Sequence, residues 1–339
     1  MSRALELAAS APGPMRGNPR VGAVIVDAAG HVIGEGAHHG AGTAHAEVVA
    51  LRDVTGSTVG ATAIVTLEPC AHTGRTGPCT QALIDAGIAR VVFAAADPNP
   101  LAAGGGALLR AAGLEVVSGV LQDESEKLNT AWAFSVRHGR PYVTWKVATT
   151  LDGRIAAADG TSRWITGEMA RADVHDFRSS VDAVLVGRGT VQADDPALTV
   201  RIDGRPLSRE HQPLRVVVGR SALDSHYRVF DDAAETLWLR THSVDEVLVT
   251  LQQRDIRHVM LEGGATIASA FLAAGAIDAV RWYIAPAILG EGPVAVGAFG
   301  ARSIADVCRL EDVQVSSLGM DVLITGAVPA RTLKNEELT

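Results

Sequence analysis

Residues 61–88 read ATAIVTLEPCAHTGRTGPCTQALIDAGI: an apolar run, a Pro-Cys, a Gly- and Thr-rich loop, and a second Pro-Cys that opens a helical pattern. The run 61–67 is short, apolar and bounded by turn residues, which predicts a strand. Pro69 discourages continuation of the ladder, so Cys70 stands just past the strand end. Residues 71–78, with Gly74, Gly77 and Pro78, form a loop, and Cys79 starts the helix CTQALIDAGI. A thiol at a helix N-terminus has its thiolate stabilised by exposed N–H groups, which favours metal ligation. Upstream, HAE at 45–47 opens a second helical pattern, HAEVVALRDV. His45 and Glu47 would face different sides of a regular helix, so the pair belongs in its first turn. One imidazole and two thiols suit a zinc ion whose fourth position stays open for water. Glu47, which is not a ligand, is then placed to move protons to and from that water. The bland alternative is an incidental core histidine with two buried cysteines.

The chain has 339 residues, 47% hydrophobic and 20% charged, which predicts a soluble globular protein with room for two domains. Its 35 glycines and many short apolar runs predict α/β architecture with tight turns. No run of about 18 apolar residues occurs, so no membrane span is expected. The N-terminal MSRALELAASAPG lacks the apolar core of a signal peptide. Two of the three cysteines are assigned to metal and Cys308 reads as an ordinary buried thiol, a usage that fits a reducing cytoplasm. A net charge of −8 argues against an extended nucleic-acid surface.

Strand-like and helix-like runs alternate along the first half. RVGAVIVD (20–27) and HVIGEGAHH (31–39) bracket a turn at Ala29-Gly30 and predict a hairpin. The helix from His45, strand 61–67, helix 79–87, strand 89–97, helix 104–112 and strand 114–120 follow. Such alternation makes a sheet covered by helices. Residues 122–139, QDESEKLNTAWAFSVRHG, predict one charged amphipathic helix, and Arg140-Pro141 restarts the chain in an extended form. The expected domains are therefore 1–120, a linker helix at 121–140, and 141–339. In the second half, VMLEGGATIASA (259–270) reads strand, Gly-Gly turn, helix, which either cradles a phosphate at the helix start or is a plain turn. Lys146, inside the apolar strand YVTWKVATT, needs a partner or an exposed face, and a coupled pair with Glu262 would supply one.

H-x-E followed by P-C matches in part the signature of zinc nucleobase deaminases, though eight residues rather than two separate the cysteines. With NPRVGAVIV (18–26), HAE (45–47), TLEPCAHTGRTGPC (66–79) and DPNP (97–100), the first half resembles the deaminase domain of the bifunctional riboflavin-biosynthesis deaminase/reductase family. The likeness continues through KVATTLDGRIA (146–156), SRWITG (162–167), the stretch 174–201, LEGGATIASAFL (261–272) and YIAPAILGEG (283–292), and so covers nearly the whole chain. Two departures stand out: Gly77 replaces the usual Pro before Pro-Cys, and Gly105 replaces a Lys.

The resemblance implies a cytidine-deaminase-like three-layer α/β/α domain followed by a dihydrofolate-reductase-like α/β domain. It implies zinc on His45, Cys70 and Cys79, with Glu47 as proton shuttle and Asn18 contacting the substrate ring. The implied substrate is a pyrimidine bearing a ribosylamino 5′-phosphate, deaminated at C2 by water and then reduced at C1′ of the ribosyl group with NADPH. For the reductase it implies Lys146 and Glu262 as catalytic residues, and Ser162, Arg178, Leu198, Arg201 and Glu262 as substrate contacts. The two arginines are candidates for the 5′-phosphate, against the ordinary fate of a solvated surface arginine. The implied cofactor contacts are Ala148, Trp164, Thr190, Asp194, Gly264, Ala265, Thr266, Ile267, Ala268, Ser269 and Ala270. Arg188 and Arg220 are candidates for reading the cofactor's 2′-phosphate. Family members self-associate, so a homo-oligomer is expected, with neither nucleic acid nor membrane as partner. Two competing readings are a deaminase of free nucleosides or RNA with an accessory second half, and a zinc-stabilised nucleotide sensor. The acidic balance and the cysteine spacing weigh against the first, and an intact Glu47 weighs against the second.

Overall fold

The computed structural model describes residues 1–11, 13–72, 77–202 and 204–329. It divides into two compact units, Met1–Arg140 and Pro141–Thr339. The expected loop 71–78 is described only at its ends, since residues 73–76 lie outside the described residues.

The first unit runs α1 (Ser2–Ser10), β1 (Gly22–Val26), β2 (Val32–Ala37), α2 (Ala46–Asp53), β3 (Thr62–Leu67), α3 (Cys79–Asp85), β4 (Arg90–Ala95), α4 (Gly105–Ala111), β5 (Glu115–Ser118), α5 (Gln122–Leu128) and α6 (Thr130–His138). Its five strands are ordered β2-β1-β3-β4-β5. The hairpin β1–β2 and the pair β1–β3 are antiparallel, while β3, β4 and β5 are parallel. Two glycines let helices lie directly on the hairpin. A Cβ on Gly22 would meet the Ala4 carbonyl oxygen of α1 at 2.0 Å, and one on Gly36 would meet that of Ala46 in α2 at 2.4 Å. Val21, Ile25, Val65, Leu83, Val91 and Leu109 fill the core.

The single helix expected over 122–139 is two, broken at Asn129. The Asn129 side chain accepts from the Arg20 backbone N–H at 2.8 Å and donates to the Arg20 carbonyl at 2.9 Å. It thus pairs with Arg20 as a strand neighbour would, a tertiary contact that overrides local periodicity. Both helices fall within the Met1–Arg140 unit.

The second unit runs β6 (Tyr142–Thr150), α7 (Glu168–Ser180), β7 (Ala183–Gly187), α8 (Arg188–Asp194), β8 (Arg201–Ile202), β9 (Arg205–Pro206), β10 (Leu214–Val218), β11 (Thr236–Leu239), α9 (Val244–Gln252), β12 (His258–Leu261), α10 (Ala265–Ala273), β13 (Ala279–Ala285), β14 (Glu311–Leu318) and β15 (Asp321–Ala327). Eight strands form one sheet in the order β11-β10-β7-β12-β6-β13-β15-β14, and β8–β9 is a small separate ribbon. From β11 to β13 all neighbours are parallel; β15 and β14 close the far side antiparallel. Alternation along each strand separates two apolar layers. Ala183 and Leu185 of β7 face a layer with Trp145, Val259 and Phe271, whereas Val184 and Val186 face one with Met260 and Tyr283. In an open parallel sheet, ligands bind where the carboxyl ends of the strands emerge. Here those ends carry Thr150, Gly187, Val218, Leu239 and the Glu262-Gly263-Gly264 turn.

Candidate active sites

In the first unit, His45 is the N-cap of α2, Glu47 lies in the first turn of that helix, and Cys79 is the first residue of α3. Cys70 follows β3 by three residues. His45 Nδ1 lies 3.1 Å from Cys79 Sγ and 3.6 Å from Cys70 Sγ, and all three candidate ligand atoms fall within 4.8 Å of one another. Zn–N and Zn–S bonds of about 2.0–2.3 Å in a tetrahedron put ligand atoms roughly 3.3–3.8 Å apart, so this triangle fits zinc. The Cys79 thiol, donating to Cys70, holds the Cys70 thiol down at about 4. Cys79 itself is pushed up by that same contact and by burial. One proton is therefore shared by two thiols, the charge pattern a divalent cation relieves. Burial raises the Glu47 carboxyl above the ordinary range, as suits a group that must both take and return a proton.

Three further residues organise this centre, and none was singled out from sequence as a site residue. Glu68, between β3 and Pro69, accepts from the Gly106 N–H at 2.9 Å through Oε1 and from the Asp97 N–H at 3.3 Å through Oε2. Asp97, in the DPNP motif, is raised to about 6 by burial and then by the nearby Glu68 and Cys70 charges. His38 hydrogen-bonds the Ala44 carbonyl at 3.1 Å and stands edge-on to the His45 ring, with centroids 5.3 Å apart. Their signals were an acid flanking Pro-Cys, an acid opening a Pro-rich turn, and a histidine seven residues before HAE. Asn18 donates to the Met15 and Arg16 carbonyls of its own turn. The two departures differ in kind. A Cβ on Gly105 would sit 1.7 Å from the Pro69 carbonyl oxygen, whereas Gly77 has nothing within 4 Å of that position.

In the second unit the face of β6 opposite Trp145 carries Lys146 and Ala148, under α7. Arg178 of α7 donates to both Glu262 oxygens at 2.7 and 2.8 Å, and Lys146 Nζ lies 4.0 Å from Glu262 Oε1. Burial works to raise the Glu262 carboxyl, but the Arg178 and Lys146 charges outweigh it and hold Glu262 below its usual range. Burial lowers Lys146, with Glu262 opposing and Arg178 assisting. The Arg178 fork, expected on a phosphate, is thus turned on a carboxylate. Its Nη1 also reaches the Thr199 carbonyl at 3.1 Å, and His175 stands 3.4 Å away. The Thr199 contact ties Arg178 to the 198–201 segment. There Leu198 is buried at φ +52, and Gln212 brackets Val200 through its N–H and carbonyl. Arg201 is exposed at the start of β8.

Ser162 donates to the Asp194 carboxylate at 3.2 Å and Arg163 donates to the Asp194 carbonyl. Between these anchors and α7 the Trp164 ring is 71% exposed, with the Arg171 guanidinium 4.7 Å above it. An exposed indole is a stacking surface rather than core. Gly264 caps α10 and its N–H points to Thr190 Oγ1 at 3.4 Å. Gly263 allows the close packing of this turn, since a Cβ there would lie 1.9 Å from Ile267 Cγ2. Expected contacts therefore gather into three groups: Lys146, Arg178 and Glu262; Ser162, Trp164 and Asp194; Thr190 and the start of α10. Cys308, expected to be buried, is half-buried beside Leu310 in a surface cavity of about 550 Å³.

Known proteins carry the same two parts. Residues 141–324 match the RibD C-terminal domain, and residues 1–95 match the cytidine and deoxycytidylate deaminase zinc-binding region. The riboflavin biosynthesis protein RibD of Mycobacterium tuberculosis H37Rv is 48% identical over 326 residues, 96% of this chain and 95% of that protein. RibD of Escherichia coli K12 is 39% identical, covering 96% and 97%. Among solved structures, Acinetobacter baumannii RibD superposes with a TM-score of 0.87 at 38% identity, covering 97% and 98%. The Thermotoga maritima diaminohydroxyphosphoribosylaminopyrimidine deaminase/5-amino-6-(5-phosphoribosylamino)uracil reductase gives 0.88 at 36% identity, with 97% of each chain covered. With two unlike motif sets in one order and agreement over nearly the full length of both sequence and structure, this chain belongs to the RibD family of riboflavin biosynthesis proteins.

Proposed function

We infer that the chain is a bifunctional enzyme of riboflavin biosynthesis. It deaminates 2,5-diamino-6-(5-phosphoribosylamino)pyrimidin-4(3H)-one to 5-amino-6-(5-phosphoribosylamino)uracil. It then reduces the ribosyl group to ribityl, giving 5-amino-6-(5-phosphoribitylamino)uracil. The observation that carries this is the convergence of His45, Cys70 and Cys79 on one point, with Glu47 buried beside them, in the same chain as the Lys146–Glu262–Arg178 cluster. Residues 1–120 are read as the deaminase and 141–339 as the reductase, with 121–140 joining them.

His45, Cys70 and Cys79 would hold the zinc, which would supply a Lewis acid that lowers the pKa of the attacking water. Glu47 takes that water's proton as oxygen adds to C2 and returns it to the departing amino nitrogen, so water enters and ammonia leaves. Asp97, its carboxyl raised to about 6, lies within electrostatic reach of Cys70 and accepts from the Asn99 N–H of its own turn. In the reductase, bound NADPH would supply the hydride for C1′. Lys146 gives a proton to the ring oxygen as the ribose opens, and ionised Glu262 steadies the positive charge that develops at C1′. Arg178 holds Glu262 in its anionic form. Trp164, Ala148, Thr190, Asp194 and the segment Gly264–Ala270 hold the cofactor; Asn18, Ser162, Leu198 and Arg201 hold the substrate. Positioning carries most of this second step.

Three cysteines without a disulfide support a cytoplasmic setting, and among the described residues no helix is long and apolar enough to cross a membrane. Strand β14 is exposed along its length, with Val313 and Val315 outward, which supports self-association. The deciding experiment follows ammonia release and NADPH oxidation together on the diaminopyrimidinone substrate. Both are expected, with a chelator abolishing ammonia release alone. Ammonia without NADPH oxidation, even when the deaminated uracil is supplied, overturns the reductase reading.

A further inference from the structure

Strand β13 runs parallel to β6, and the register sets Arg281 against Lys146 and Tyr283 against Ala148. Alternation along the strands turns all four side chains to one face of the sheet, the face under α7. A second cation opposite Lys146 is a liability, since like charges on adjacent strands repel. The fold answers it with Asp173 of α7. One Asp173 oxygen accepts from Arg281 Nη2 at 2.5 Å and from the Tyr283 hydroxyl at 2.5 Å, and Arg281 Nε donates to the Tyr283 oxygen at 3.2 Å. The three groups satisfy one another in a closed triangle. Burial raises the Tyr283 hydroxyl above its ordinary range, so the phenol stays a donor.

The triangle bears on Lys146 in two ways. Tyr283 is fully buried, and its ring centroid lies 6.0 Å from Lys146 Nζ, at the outer reach of cation–π attraction. In addition, α7 is tied down on both sides of β6. Asp173 fastens it to β13, and Arg178 fastens it to Glu262 at the end of β12. Lys146 lies on the strand between these two anchors. Glu262, at 4.0 Å, is too distant to hold the ammonium by a hydrogen bond, so its direction has to be set by what surrounds it.

We propose that Asp173, Arg281 and Tyr283 are positioning residues for Lys146: Asp173 cancels the Arg281 charge opposite the lysine and locks the Tyr283 ring beside its ammonium. The proposal rests on the reductase reading, in which Lys146 is the proton donor.

The charged and titratable groups around Lys146 are Glu262 after β12, Arg178 and Asp173 on α7 with His175 beside Arg178, Asp194 on α8, and Arg281 and Tyr283 on β13. Only the protonated lysine can donate, so kcat for reduction falls as pH rises through its value. Removing the ring, or leaving Arg281 uncancelled, destabilises the ammonium and moves that basic limb to lower pH. The test is the pH profile of NADPH oxidation by the full chain on the supplied uracil. Tyr283→Leu is expected to lower kcat about ten-fold or more and to move the limb down by roughly half a pH unit or more. Tyr283→Phe keeps the ring and is expected to restore most of the limb position. Asp173→Asn, at a half-buried helix position that tolerates the change, is expected to move the limb the same way as Tyr283→Leu and carries the test should the buried leucine variant fail to fold. Ammonia release stays at the wild-type level in all three. A limb that stays at the wild-type position or rises in Asp173→Asn overturns the assignment and leaves the reductase reading intact. No NADPH oxidation by the wild type overturns both.

Discussion

The two candidate catalytic clusters balance their charges in opposite ways. At His45, Cys70 and Cys79 the side chains are donors in search of a cation: two thiols contend for one proton, and burial raises the Glu47 carboxyl above its ordinary range. At Lys146, Arg178 and Glu262 the protein supplies both signs itself, and the anion is stabilised by two cations. The first site is completed by something that binds, whereas the second is built complete and left with one surplus positive charge. That difference predicts which perturbations each half tolerates.

Removing the metal is the most severe way to separate them. Chelation is expected to abolish ammonia release and to leave NADPH oxidation on the supplied uracil intact; parallel loss of both would erase the distinction. Next, Glu47→Gln is expected to cost about 10²–10⁴-fold in deamination while zinc content, measured by elemental analysis, stays at the wild-type level. A variant that loses its zinc would show Glu47 to be part of the metal's support instead.

In the self-balanced cluster, Arg178→Ala leaves Glu262 buried with only the more distant Lys146. A loss of about 3–5 kcal/mol in unfolding free energy is expected, read by denaturant titration. The pH dependence carries a sign. The Glu262 pKa is depressed in the fold, so its contribution is present above the usual carboxyl range and is lost as pH falls through the folded value. Arg178→Ala should move that acid-side loss to higher pH, and an unchanged profile would mean that Lys146 alone sets it. The smallest effect expected is from Gly105→Ala. Its Cβ would press on the Pro69 carbonyl, costing about 1–3 kcal/mol and weakening zinc retention in a chelator competition; full retention would show that Pro69–Cys70 yields freely.

How much of this was legible in the sequence follows the same division. His45, Glu47, Cys70 and Cys79 sit at element ends within 35 residues, so local rules of strand, proline and helix start were enough to bring them together. The second cluster spans 84 residues between Arg178 and Glu262 alone, and no periodicity foretells that a helix arginine will meet a strand-end glutamate. The same blindness produced the single helix over 122–139, because the break at Asn129 serves Arg20, 109 residues away. Arg215 is another case: no local pattern marks it, yet it is fully buried and donates to the carbonyls of Ala197, Arg228, Asp231 and Ala234. The strand order of the second unit's large sheet, which sets its parallel strand ends side by side, is likewise a property of crossovers and not of any one segment.

Glu68 spends its two oxygens on two different pieces of chain, the start of α4 and the Asp97 turn, and it stands two residues before Cys70 of the candidate metal triangle. Such a carboxylate acts as a rivet with a short lever. Cys70 and the Asp97 turn therefore share one nearby anchor, and a displacement of either is expected to reach the other through it.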